Sequence, residues 1–427
     1  MESYGPLPKV VFTTSVLHHP PIGGPFLRIE NSIKALSRIS DLYVFSRIPV
    51  SKIGGAPAAD FYGRFTRGLW FPKRSARRLL SRVANKVCWT ISKKSPFLSD
   101  PNSVDLSLEI LQQAENIGAD VIWLGYGNIS YPLLEHLKKR SSIKVVVDTD
   151  SVWSRFVLRR LPFARDEAER EKIRREGLQK EEEERKGASL ADVTTAVSQV
   201  DADYYRPLAR EPRHVHLFSN VIDLENYRLL PPPPASLKKP CLYLAGSFGP
   251  RSPMEDAARW VLENVLPSLQ KAIPDLQFII AGSGSDTTLA DVQCPSVTVT
   301  GKVPSTLSYL CHADVALVPL RFESGTRFKI LEAGACGTPV ISTTLGAEGL
   351  EVIHGKHLLL ADTPEDFIQA VLRLLHDRVL ASTLSSNLRR LVEEKYSLNA
   401  LVQEGRQILS HLGFAPPESG NKEGLAS

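Results

Sequence analysis

Within the run PLRFESGTRFKILEAGACGTPVIST, residues 319–343, five positions can together hold an anionic, hydroxyl-bearing ligand. The apolar strand DVALVPL runs into a loop containing Gly325, where a backbone without Cβ lets a ligand approach closely. A helix is expected from about Thr326, and its first-turn amides, unpartnered inside the helix, favour a phosphate. Arg327 and Lys329 add cationic charge at that end, and Glu332, about two turns in, can accept hydrogen bonds from a diol such as a ribose. The competing reading makes Lys329 and Glu332 an i,i+3 pair on a solvated face, beside a loop that does nothing else.

A second set lies near the N-terminus. Gly23 and Gly24 close the loop HHPPIGGP and open a helix, so their amides can face a phosphate or sugar; an ordinary tight strand-to-helix turn would look the same. His18 and His19 in that loop read as loop histidines. Asp148 and Asp150, at the end of KVVVD, are either helix caps or contacts to an acceptor. No nucleophile stands out. The five cysteines include no C-x-x-C pair, which argues against a zinc site or a disulfide framework and for a reducing compartment.

The elements that must carry these residues alternate in type. KVVFTTS, DLYVFSR, DVIWLG, KVVVD and ADVTTAVS read as buried strands separated by helices, and after residue 240 the series restarts with CLYLAGS, LQFIIAG, TVTG, DVALVPL and TPVIST. Such alternation predicts parallel sheets covered by helices on both faces: an α/β chain of two Rossmann-like, doubly wound domains, with ligands in a cleft outside the carboxyl ends of the strands. The boundaries read as 1–220 for the first domain, 221–240 for a linker containing Pro231 to Pro234, and 241–395 for the second domain. A C-terminal helix at 396–414 and a disordered tail at 415–427 complete the chain. The charged run 166–186 reads as an exposed helix laced by i,i+4 pairs.

The run KILEAGACGTPVIST, followed by LGAEGL and HGKHLLLAD, resembles the C-terminal domain of group 1 (family 4) retaining glycosyltransferases of the GT-B architecture. The similarity reaches upstream to GSFGPRSPMEDA at 246–257, AGSGSD at 281–286 and TGKV at 300–303, and covers roughly residues 240 to 395. The resemblance implies a nucleotide sugar, UDP- or GDP-linked, held by the second domain and an acceptor, a glycan or a lipid-linked sugar, received by the first. It implies neither a metal nor a cofactor. Glu332 matches the second glutamate of the family's E-x7-E motif, which holds the donor ribose, whereas the first falls on Ser324. A subset of the family lacks that glutamate and carries a Gly-Thr-Arg-x-Lys run, matched here by Gly325, Thr326, Arg327 and Lys329. Gly246, Ser247 and Arg251 fall in the loop that contacts the donor diphosphate, but the lysine expected after the arginine is replaced by acid near Asp256, and the subset's asparagine by Met254. Where the family places a histidine in the first domain, Tyr126 and Asn128 stand instead.

With 427 residues, 43% hydrophobic and 23% charged, the chain has a composition that can bury two cores and that excludes a disordered or fibrous protein. Its net charge of +5 is uneven: 34 basic and 25 acidic side chains up to Asn220 give +9, and 18 against 22 beyond it give −4. Residues 64–94 hold ten basic side chains and no acidic one, interleaved with Leu69, Trp70, Phe71, Leu79, Leu80 and Trp89. That pattern reads as an element lying on an anionic membrane surface, or as a solvated basic helix; with no recognition motif it does not indicate nucleic acid. With no secretion signal and no apolar run of about 18 residues, a cytoplasmic protein is expected, peripheral on the inner membrane face. Other GT-B activities, an epimerase or an inverting transferase, and a non-catalytic GT-B scaffold fit the same motifs.

Overall fold

The computed structural model describes residues 6–73, 101–325 and 327–414; Thr326, residues 74–94 of the basic segment and the 415–427 tail lie outside the described residues. The chain divides into two compact units. Unit 1 takes residues 1–154, 167–219 and 401–427, and unit 2 takes 155–166 and 220–400.

Unit 1 is built on a seven-stranded parallel sheet in the order β3-β2-β1-β4-β5-β6-β7. Its strands are β1 (Lys9–Thr14), β2 (Asp41–Ser46), β3 (Gly68–Trp70), β4 (Val121–Gly125), β5 (Lys144–Asp148), β6 (Val193–Ala196) and β7 (Val215–Leu217). The apolar runs that form the central strands are continuous because helices cover both faces: Val10, Val11, Phe12 and Val121 to Leu124 are fully buried. Unit 2 holds a six-stranded parallel sheet, β10-β9-β8-β11-β12-β13, with β8 (Cys241–Ala245), β9 (Gln277–Ala281), β10 (Val297–Val299), β11 (Val315–Val318), β12 (Val340–Ser342) and β13 (Leu359–Leu360). Strand order reverses between β1 and β4 in the first sheet and between β8 and β11 in the second, the two places where open α/β sheets collect ligands.

Three strands have no counterpart in the sequence reading: β3, β7 and β13, each of two or three residues at a sheet edge. β3 changes the meaning of the basic segment's start. Leu69 and Trp70 pair with β2, and the Trp70 ring stacks on Tyr43 at 5.3 Å, so these apolar residues finish a sheet edge. The stretch 221–240, read as a linker, belongs to unit 2: Ile222 donates to the Tyr396 carbonyl at 3.0 Å and is fully buried, and the His312 ring contacts the Pro231 carbonyl at 2.8 Å. Residues 155–166 also belong to unit 2, although they precede the last strands of unit 1 in sequence. The C-terminal helix Leu398–His411 crosses the division, and within unit 1 its Glu404 carboxylate accepts from both the amide and the hydroxyl of Ser219 at 2.7 Å.

The charged run lies in the helix Glu167–Leu190, with exposed pairs such as Arg170–Glu167 and Lys172–Glu176. Glu184 is the exception. It is 1% exposed and accepts from the amides of Trp153 (2.7 Å) and Ser154 (3.1 Å) and from the hydroxyls of Ser154 and Tyr204 (2.7 Å), capping the helix Trp153–Leu158. Among the described residues no helix is long and apolar enough to cross a membrane.

Candidate functional site

In unit 2 the loops after β8, β9 and β10 are tied into one rim. Gly246 donates to the Ala281 carbonyl at 3.0 Å, Phe248 to that of Ser283 at 2.8 Å, and Gly282 to that of Gly301 at 3.1 Å. Gly246 sits close under two long side chains: a Cβ there would lie 2.9 Å from the Met254 thioether and 3.1 Å from the Lys329 Cε, so a larger residue would displace them. That crowding places the Lys329 side chain against the end of β8. Ser247 and Arg251 lie on the exposed side of the rim; Arg251 adopts a left-handed backbone (φ +58°) and its amide donates to the Glu255 carboxylate. Asp256, in the capped helix Pro253–Trp260, is held by Arg321, whose Nε donates to it at 2.9 Å.

After β11 the chain turns through Ser324 and Gly325, the latter at φ +81°, a conformation that favours glycine. The helix then spans Phe328–Cys336, two residues later than expected, with Arg327 as its N-cap residue. Arg327 is 5% exposed and its guanidinium turns back on its own loop, donating to the Ser324 carbonyl at 2.7 Å and to that of Gly325. Its geometry is that of a brace for the loop. Ser324 is 8% exposed, and its Oγ has no hydrogen-bond partner among the described residues.

Lys329 and Glu332 do not form the surface pair considered from spacing. Neither is exposed, and among the described residues the Lys329 ammonium makes no ion pair or hydrogen bond. Burial pushes the Lys329 ammonium below the usual lysine range, opposed by the charges of Glu323 and Glu332. Burial likewise pushes the Glu332 carboxyl up, opposed by a hydrogen bond from Tyr227 Oη at 3.1 Å and by Lys329. Tyr227 comes from the stretch read as linker, and no motif marked it; a lone tyrosine before a proline run carries no periodic or spacing signal. The combination is a half-buried cation without an ion-pair contact among the described residues, beside helix-terminal amides, with an oriented carboxylate one turn further on.

In unit 1, Gly23 (φ +153°) precedes the helix Gly24–Leu36, and no side chain caps that end. A Cβ at Gly23 would meet open space, so backbone conformation alone favours glycine there. His18 and His19 are engaged locally: His18 Nδ1 lies 2.9 Å from the Pro20 carbonyl, and His19 Nδ1 lies 2.9 Å from Glu30 with its ring stacked on Phe61 at 3.5 Å. Asp148 is neither a cap nor an exposed contact. It is fully buried against Arg28, and the Thr195 hydroxyl donates to it at 2.8 Å. Tyr126, Asn128 and Asp150 are brought together. The Asn128 amide is consumed, donating to the Ser151 carbonyl at 2.9 Å and accepting the Asp150 amide at 3.0 Å. The half-buried Asp150 carboxylate is left at the strand end, where burial pushes it up to about 6 against hydrogen bonds from Tyr126 and from Trp153 Nε1 at 3.1 Å.

Comparison with known proteins gives this geometry its context. Residues 239–377 match the family described as Glycosyl transferases group 1. A 107-residue stretch is 32% identical to an uncharacterized glycosyltransferase, MJ1178, of Methanocaldococcus jannaschii, covering 25% of this chain and 30% of that relative's length. Solved structures align along nearly the whole chain at low identity. Sucrose-phosphate synthase from Thermosynechococcus elongatus has a TM-score of 0.65 at 17% identity, covering 95% of this chain and 99% of its own. Anabaena Alr3699/HepE in complex with UDP gives 0.63 at 14%, covering 95% and 100%. TarM gives 0.64 at 11%, covering 94% and 98%. The chain thus has the two-sheet GT-B fold of these glycosyltransferases, and its residues 239–377 match the glycosyl transferases group 1 family.

Proposed function

We propose that the protein is a glycosyltransferase that moves a sugar from a nucleoside-diphosphate sugar to a glycan or lipid-linked acceptor, with retention of anomeric configuration and without a metal or cofactor. One observation carries the reading: the half-buried Lys329 ammonium, which makes no ion pair among the described residues, stands at the β8/β11 reversal between Gly246 and the start of the Phe328–Cys336 helix. A partly desolvated cation with no carboxylate in ion-pair contact is stabilised by an anionic ligand, and a diphosphate supplies that charge. HepE, at 13% identity, has been solved with UDP-glucose. As the glycosidic bond breaks, charge grows on the leaving diphosphate; Lys329 and preorganised amides stabilise it there. Glu332, oriented by Tyr227, accepts from the ribose hydroxyls. Ser324 Oγ takes a sugar hydroxyl, and Asp150 with Tyr126 binds the acceptor.

The test of this reading is turnover of a panel of UDP- and GDP-sugars, with product configuration followed by proton NMR. A product of unchanged anomeric configuration supports it; an inverted product, or epimerised donor, contradicts it. The acid-free charge at 73–94 is proposed to contact an anionic membrane face. Flotation with phosphatidylglycerol vesicles that is lost at high salt supports this, and equal recovery with neutral vesicles contradicts it.

A further inference from the structure

Residues 155–166 pack as part of unit 2, and Arg159 is the side chain that shows what they do there. Its guanidinium is bidentate on Glu348, at 2.7 Å to each oxygen, and donates a third bond to the Glu323 carbonyl at 2.6 Å. Glu348 lies in the turn after β12, which is folded tightly on the end of β11: the Gly346 amide donates to Thr343 Oγ1 at 2.9 Å, and the Thr343 amide to the Val318 carbonyl at 3.2 Å. Burial pushes the Glu348 carboxyl up, but Arg159, with Arg155 and Arg327 nearby, holds it below the usual range, so it stays an anion. Arg327 grips the next two carbonyls, those of Ser324 and Gly325. Three consecutive carbonyls of the loop are therefore fixed by two guanidiniums, one of them delivered from the first half of the sequence.

We infer that Arg159 is a positioning residue for the loop 323–325, fixing the unpartnered Ser324 Oγ and the entry to the Phe328–Cys336 helix where the donor binds. The inference rests on the donor-site reading above only for its consequence in catalysis; the positioning is a property of the loop. A bidentate arginine pair with a third bond fixes direction as well as distance, which a lysine ammonium cannot reproduce in full.

Hydrogen exchange of the full-length protein without ligand tests the positioning first. Arg159→Ala and the milder Glu348→Gln should each speed exchange of the 323–328 amides by about tenfold while β8 and β9 keep their protection, with Arg159→Lys intermediate. Unchanged exchange in this loop for both variants overturns the proposal, as does general loss of protection across unit 2 in Glu348→Gln. Steady-state kinetics with the sugar nucleotide that turns over should then show a donor KM raised about tenfold in Arg159→Ala, with kcat within about twofold and partial rescue by lysine. A fall in kcat at constant KM would mean that Arg159 does not act through donor binding and would overturn the catalytic part. If the wild type uses no sugar nucleotide, the donor reading fails while the exchange result still decides on Arg159.

Discussion

At the scale of single residues, the chemistry depends on groups left without the partners that burial normally demands. Lys329 is a half-buried ammonium without an ion-pair contact among the described residues, and Ser324 Oγ is buried without a hydrogen bond among them. Asp150 differs, since it has partners and is still pushed up to about 6 by burial. Its pKa is raised on folding, so its contribution to stability is fully present below the unfolded value near 4 and is lost as pH rises through about 6. Asp150→Asn keeps an oxygen for Trp153 and removes the charge. Thermal melts should therefore show the variant more stable than the wild type at pH 7.5 and equal to it at pH 4, while transfer to the acceptor falls about tenfold or more; a variant that is destabilised at pH 7.5 would show that the charged carboxylate is structural. Which residues were legible follows the same division. Gly325, Lys329 and Glu332 announce themselves by type and spacing along one helix, whereas Tyr227 and Arg159 reach their partners from 105 and 164 residues away, a distance no local pattern encodes.

At the scale of elements, the central strands were legible because parallel strands buried on both faces are continuous apolar runs, and KVVFTT, VIWLG and VVVD are of that kind. The edge strands β3, β7 and β13 are too short to show a period, and their pairing is set by neighbours. The charged helix shows the opposite limit: four consecutive glutamates, 181 to 184, look alike in sequence, yet the last is buried among four donors. Replacing it with alanine leaves the Trp153 and Ser154 amides and two hydroxyls without their acceptor. Glu184→Ala is expected to cost about 2–4 kcal/mol in denaturant unfolding, against under about 0.5 kcal/mol for Glu182→Ala on the exposed face. Equal small effects at both positions would mean that the cap at Trp153 contributes little.

At the scale of the whole molecule, two parallel sheets each reverse strand order once, and the candidate residues collect at those reversals: Gly246 and the 319–329 loop at β8/β11, Gly23 and Tyr126 at β1/β4. The parallel α/β sheets followed from alternation, and the GT-B architecture from the resemblance of the 240–395 motifs. The exchange of segments between units did not, because 155–166 and the end of the last helix change sides without any break in composition. The central claim is that unit 2 binds a nucleoside diphosphate through Lys329. Calorimetric titration of UDP and GDP into the wild type and Lys329→Met tests it most directly. One of the two nucleotides should bind the wild type, and Lys329→Met should weaken it by about tenfold or more, about 1.4 kcal/mol. Because burial lowers the lysine's pKa, wild-type affinity should also fall with rising pH earlier than an exposed lysine would allow, a decline the methionine variant lacks. Equal affinity of wild type and Lys329→Met for the nucleotide that binds, or no binding of either nucleotide, would contradict the account.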